Sequence, residues 1–134
     1  MRQHLSTVLA ESLRTGDTAA ALSGALNAAI GDSPGTTHRR FVLAVTADAL
    51  VMHVNRCALD ALSRGRLRTC VRLARLEKVL TGFKRDLVYS DPDTGADMIR
   101  VSLLRLRLSA VSAECPALRE AGAAMARVAA TGAA

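Results

Sequence analysis

Leu5, Val8, Leu9 and Leu13 recur at helical spacing with polar residues between them, and the pattern stops at Thr15-Gly16, where glycine can end a helix. Asp17 stands at the N-cap position of a second run, Leu22, Ala25, Leu26, Ala29 and Ile30, which Gly31 closes. Two helices in direct succession predict an N-terminal helical hairpin. DSPGTTHRR at 32–40 is rich in turn formers and reads as a connector.

FVLAVTADALVMHV at 41–54 changes the pattern. Val and Phe enrichment around a polar TADA predicts two short strands, FVLAV and LVMHV, paired through a tight turn. The alternative is one buried helix from Thr46 to Leu62. It would be apolar nearly all round, an unusual helix for a small domain.

From Arg56 to Phe83 the period is helical again, with a break near Ser63 and Gly65. In the second half Leu73, Leu76, Leu80 and Phe83 share one face. Arg64, Arg68, Arg72, Arg75 and Lys78 form a neighbouring cationic stripe. SDPDTG at 90–95 is a turn signal. Its alternating carboxylates suggest a calcium loop, but such a loop starting at Asp91 needs a glycine and a glutamate where Ala96 and Ser102 stand. Residues 98–111 fit either period, but Thr94 with Asp97 resembles a capping box and favours a helix. A last helix is predicted from Pro116 through Met125, and the tail from 129 on frays. The expected fold is therefore α+β and predominantly helical. It combines the N-terminal hairpin, a small antiparallel sheet around residues 40–55, a basic amphipathic helix and C-terminal helices, in one domain over 1–134.

Composition agrees with a helical core. Half of the 134 residues are apolar, but these are chiefly Ala, Leu and Val, and Phe41, Phe83 and Tyr89 are the aromatics. Cys57, Cys70 and Cys115 are odd in number and form no CxxC. With no His read at ligand spacing from them, a disulfide framework, metal site or cofactor is not expected and a reducing compartment is. The apolar runs 18–31 and 41–55 are short for a bilayer, the second carries Asp48, and the first fourteen residues lack the apolar segment of a signal peptide. The expected location is the cytoplasm.

The net charge of +6 points to an anionic partner, with cations concentrated between His38 and Arg85 and from Arg100 to Arg107. An arginine-rich solvated helix face would produce the same pattern. No phosphate-binding glycine loop, dinucleotide fingerprint, HExxH or GxSxG occurs. His4, His38 and His53 fall in different predicted elements, and Asp48, Asp60, Glu77 and Asp86 read as local charge balance, so no enzyme is expected. Scarce aromatics argue against stacking on single-stranded nucleic acid, leaving non-specific duplex contact as the nucleic-acid alternative. Phosphate headgroups of anionic lipids fit the stripe, each basic residue near such a surface contributing about 1 kcal/mol.

LRTGDTAAAL at 13–22, SPGTT at 33–37 followed by FVLAVTADALVMHV, and ARLEKVLTGFKR at 74–85 leading to SLLRLRLSAVSAECPALREAG together resemble a chordopoxvirus late protein family. Its members are required for forming the crescent membranes of immature virions. High arginine and alanine content suits a GC-rich parapoxvirus. The resemblance covers about half of the chain. It implies a non-enzymatic α+β protein of the infected cell's cytoplasm, peripheral at membranes. Such a protein binds phosphoinositides through a basic patch and acts with other viral membrane-assembly proteins. Arg75, Lys78, Lys84 and Arg85 fall on matching basic positions, whereas Glu77, Thr81 and Gly82 replace further cations. Arg68 and Arg72 are the nearest substitutes. The chain is also shorter than the family between Val54 and Arg75. The expected lipid-binding set is therefore Arg68, Arg72, Arg75, Lys78, Lys84 and Arg85. The alternative is a helical protein-interaction module, such as a host-response antagonist, whose basic face meets an acidic protein.

Overall fold

The computed structural model describes residues 2–31 and 35–131. Among these residues the chain forms six helices and no strand: α1 (Arg2–Thr15), α2 (Ala19–Ile30), α3 (Thr36–Ser63), α4 (Leu67–Tyr89), α5 (Thr94–Ala110) and α6 (Ala117–Thr131). The fold is all-helical. The antiparallel sheet expected around 40–55 is absent, because that stretch lies inside α3. Positions 32–34 of the expected connector, and part of the SPGTT stretch, lie outside the described residues; from Thr36 on the chain is already helix.

The reason is where α3 sits. Val42, Leu43, Val45, Ala47, Ala49, Leu50 and Val54 are all buried and cover more than half of the circumference, because α1, α2, α4 and α6 all pack on this helix, while Phe41, Met52 and Leu59 on the remaining side are exposed. A helix that packs on several others buries a wide apolar face. Burial of so wide a face outweighs the strand preference of its Val and Phe residues. The polar TADA in its middle makes no turn. Thr46 is buried and its hydroxyl donates to the Val42 carbonyl at 2.8 Å, while Asp48 reaches the side and pairs with Lys84 at 2.8 Å.

α3 is also long and apolar enough to cross a membrane, contrary to the expectation of no such segment. Of that apolar window 56% is buried within the fold, which suits the central helix of a bundle as well.

The other helices bury single stripes, α4 against α3 and α5 chiefly against α6. α4 contributes Leu73, Leu76, Leu80, Phe83 and Leu87, as its spacing predicts. α5 buries Val101, Leu104 and Leu108; α6 buries Leu118, Ala121, Met125 and Val128. Each buried leucine contributes about 1.5–3 kcal/mol. α1 packs chiefly on α3 and α2 chiefly on α6, so the first two helices touch one another only lightly.

Helix ends follow local chemistry. Gly16 ends α1 at φ +77°, and Thr18 rather than Asp17 caps α2, accepting from the Ala21 amide at 3.2 Å. Asp93 caps α5, accepting from the Ala96 amide at 3.0 Å, in place of the expected Thr94–Asp97 box. Asp97 instead turns inward to Arg40 and Arg100.

Candidate functional site

α3 stops at Ser63 and the chain reverses through Gly65, whose φ of +75° suits glycine. The Arg66 amide donates back to the Ala61 carbonyl at 2.8 Å, so the turn is tight. Large apolar side chains stand in solvent on both sides of it: Leu59 is 62% exposed, Leu62 49%, Leu67 63% and Val71 49%. Arg64, Arg66 and Arg68 lie among them and are also exposed. Arg64 sits 3.3 Å from Asp60; Arg66 and Arg68 make no ion pair among the described residues. The tip between the two longest helices is thus both greasy and cationic.

The six residues expected to bind lipid do not all face one way. Arg72 pairs with Glu114 and donates to the Ala110 carbonyl at 2.8 Å. Lys84 pairs with Asp48 at 2.8 Å on the far edge of the buried face. Both are thus occupied in joining α4 to its neighbours. Arg68, Arg75, Lys78 and Arg85 point to solvent, Arg85 with a 3.7 Å contact to the adjacent Asp86. Arg64 and Arg66 belong with these four.

A second site was missed entirely by sequence reasoning. His53 and Cys57 stand one turn apart on α3, and Cys115 lies just before α6. The Cys57 sulfur is 3.3 Å from that of Cys115 and 3.7 Å from His53 Nε2. The two sulfurs are at hydrogen-bond distance, and either can donate. Hydrogen bonding to Cys115, and then to His53, lowers the Cys57 thiol to about 5, against burial and the Asp60 carboxylate. The Cys115 thiol is pushed up by its hydrogen bond to Cys57 and by burial. Cys57 opens on a cleft of about 300 Å³ also lined by Arg56, Asp60, Arg66, Thr69 and Glu114.

A third feature is a groove of about 380 Å³ between α4 and α5, walled by Val79, Phe83, Leu103 and Leu106 and edged by Arg100 and Arg107. Ile99, Leu103 and Leu106, at i, i+4 and i+7, are 63%, 60% and 69% exposed along α5. No family model, curated protein or solved structure matches the chain. The poxvirus resemblance accordingly rests on the sequence stretches that carry it, and the sheet it implied is not formed.

Proposed function

We propose that the protein is a non-enzymatic peripheral membrane protein whose α3–α4 tip docks on anionic lipid headgroups, phosphoinositides among them. The observation that carries this reading is the placement of exposed Leu62 and Leu67 on either side of Arg64 and Arg66 at the tight turn. Cations attract the surface at about 1 kcal/mol each, and leucines that enter the interface add apolar burial. Arg68, Arg75 and Lys78 extend the charge along α4. A role in viral membrane assembly, as the resemblance implies, would use this contact from the cytoplasmic side.

Flotation of the full chain with neutral vesicles and with vesicles containing phosphatidylinositol phosphates tests the reading. Co-flotation with the anionic set alone supports it. Failure to bind either set sinks it.

The α4–α5 groove supports a second reading, a protein-interaction module that takes an amphipathic helix with acidic flanks between Arg100 and Arg107. Capture of such a partner that is lost in Leu103→Glu/Leu106→Glu, and kept in Arg66→Glu/Arg68→Glu, would move the function to that groove.

A further inference from the structure

His53, Cys57 and Cys115 come from two parts of the chain that meet in the fold, Cys115 lying 58 residues beyond Cys57. One donor atom from each falls within 4.8 Å of the other two. A tetrahedral zinc ion, with Zn–S near 2.3 Å and Zn–N about 2.0–2.1 Å, holds its donors roughly 3.5–3.8 Å apart. The Cys57–Cys115 S···S separation of 3.3 Å and the Cys57–His53 S···N separation of 3.7 Å are within about half an ångström of those spacings, and the Cys115 and His53 donors lie within 4.8 Å of each other. We propose that these three residues form a binding site for a thiophilic divalent ion of the zinc class, with a fourth coordination position open to the adjacent cleft.

The donor set selects the ion. Two thiolates and an imidazole suit zinc, whereas magnesium and calcium require oxygen ligands. Two thiolate charges neutralise a divalent ion, so the half-buried site carries no net charge when filled. Backbone support is rigid on both sides. His53 and Cys57 sit on one face of the central helix, and Cys115 is held by its amide donating to the Val111 carbonyl and by its carbonyl accepting from the Leu118 amide, both at 3.1 Å.

The cleft supplies an entry path and a partner for the fourth ligand. Glu114 lines it, and its Oε2 is buried with no hydrogen-bond partner among the described residues, while Oε1 is taken by Arg72. A metal-bound water donating toward that oxygen would satisfy it. Asp60, also on the cleft wall, is paired there with Arg64 at 3.3 Å.

The test is cobalt(II) titration of the full chain kept reduced with a phosphine. The expected result is a strong thiolate-to-cobalt charge-transfer band with tetrahedral d–d absorption. Both saturate at one ion per chain and are removed by one equivalent of zinc. The charge-transfer intensity should fall by about half in Cys57→Ser, as one of the two thiolates is lost, and stay unchanged in Cys70→Ser, whose sulfur lies outside the cluster. Circular dichroism qualifies each variant as folded. Only the weak absorption of aqueous cobalt in the unmutated chain would overturn the proposal whatever the variants do. So would full intensity in folded Cys57→Ser, or a Cys57–Cys115 disulfide that forms under these reducing conditions and takes up no metal.

Discussion

Arg40 Nε lies 2.9 Å from Asp97 Oδ2, with side chains 9% and 6% exposed, so an ion pair inside the protein joins the first turns of α3 to the start of α5. Arg40 also donates to the Ser90 carbonyl at 2.9 Å and to the Ser90 hydroxyl, and Asp97 accepts from Arg100 at 3.0 Å. The network therefore fixes the α4–α5 connection as well. Removing one partner leaves a buried charge uncompensated, whereas replacing both with apolar groups does not. Asp97→Ala should lose about 3–5 kcal/mol in urea unfolding followed by circular dichroism. Arg40→Met/Asp97→Leu should recover most of that loss. A single variant within about 1 kcal/mol of the parent, the value of a surface pair, would show that solvent reaches the pair.

Two glycines in helix interiors should respond in opposite directions. A Cβ at Gly24, exposed on α2, meets nothing within 4 Å, so Gly24→Ala should stabilise by up to about 1 kcal/mol through helix propensity. A Cβ at Gly122 would stand 3.2 Å from Leu108 Cδ1 and 3.4 Å from Arg105 Cα, where α5 and α6 cross. Gly122→Val must therefore push the helices apart and should cost about 1–3 kcal/mol. Thermal melts rank the pair, and equal shifts would contradict the close crossing.

How much of this was legible in the sequence depended on whether a residue's partners were local. The buried stripe of α4 and the break at Gly65 follow from spacing and glycine chemistry, and both are present. The α3 stretch reads as strands because its pattern is set by the helices packed around it, which no local window contains. Ending a strand at Val54 puts His53 and Cys57 in different elements, so their one-turn spacing does not register as a shared face, and Cys115 is joined to them only by the fold. Glu114 and Asp48 likewise lie 42 and 36 residues from Arg72 and Lys84, whose charges they occupy.

In the metal-free protein Cys57 should be the first of its pair to react. Its pKa of about 5 makes it thiolate at neutral pH, and the adjacent cleft admits small reagents. Because deprotonation creates the nucleophile, alkylation by iodoacetamide should rise with pH through about 5 and then level off. Buried Cys115, shifted the other way, should lag behind. Cys115→Ala removes the largest cause of the lowering, so the Cys57 profile should move toward the ordinary thiol value of about 8.5. Peptide mass spectrometry reads each site, and a parent midpoint already near that value would refute the hydrogen-bonded pair.

At the α3–α4 tip, charge and apolar burial should separate experimentally. Arg66→Ala/Arg68→Ala removes two cations, at about 1 kcal/mol each, and should weaken binding to anionic vesicles roughly thirtyfold at low salt. The residual binding should depend less on salt, because fewer charges are left to screen. Leu62→Ser/Leu67→Ser should also weaken binding but leave the salt dependence of the parent, since it removes only the part that enters the interface. Both pairs are exposed, so neither should change thermal stability by more than about 0.5 kcal/mol. Arg72→Ala provides the contrast: it breaks the contact with Glu114 and should lower stability more than vesicle affinity. Vesicle titrations at two salt concentrations distinguish these cases, and an Arg72→Ala loss of affinity matching that of the Arg66/Arg68 pair would shift the lipid contact from the tip to the middle of α4.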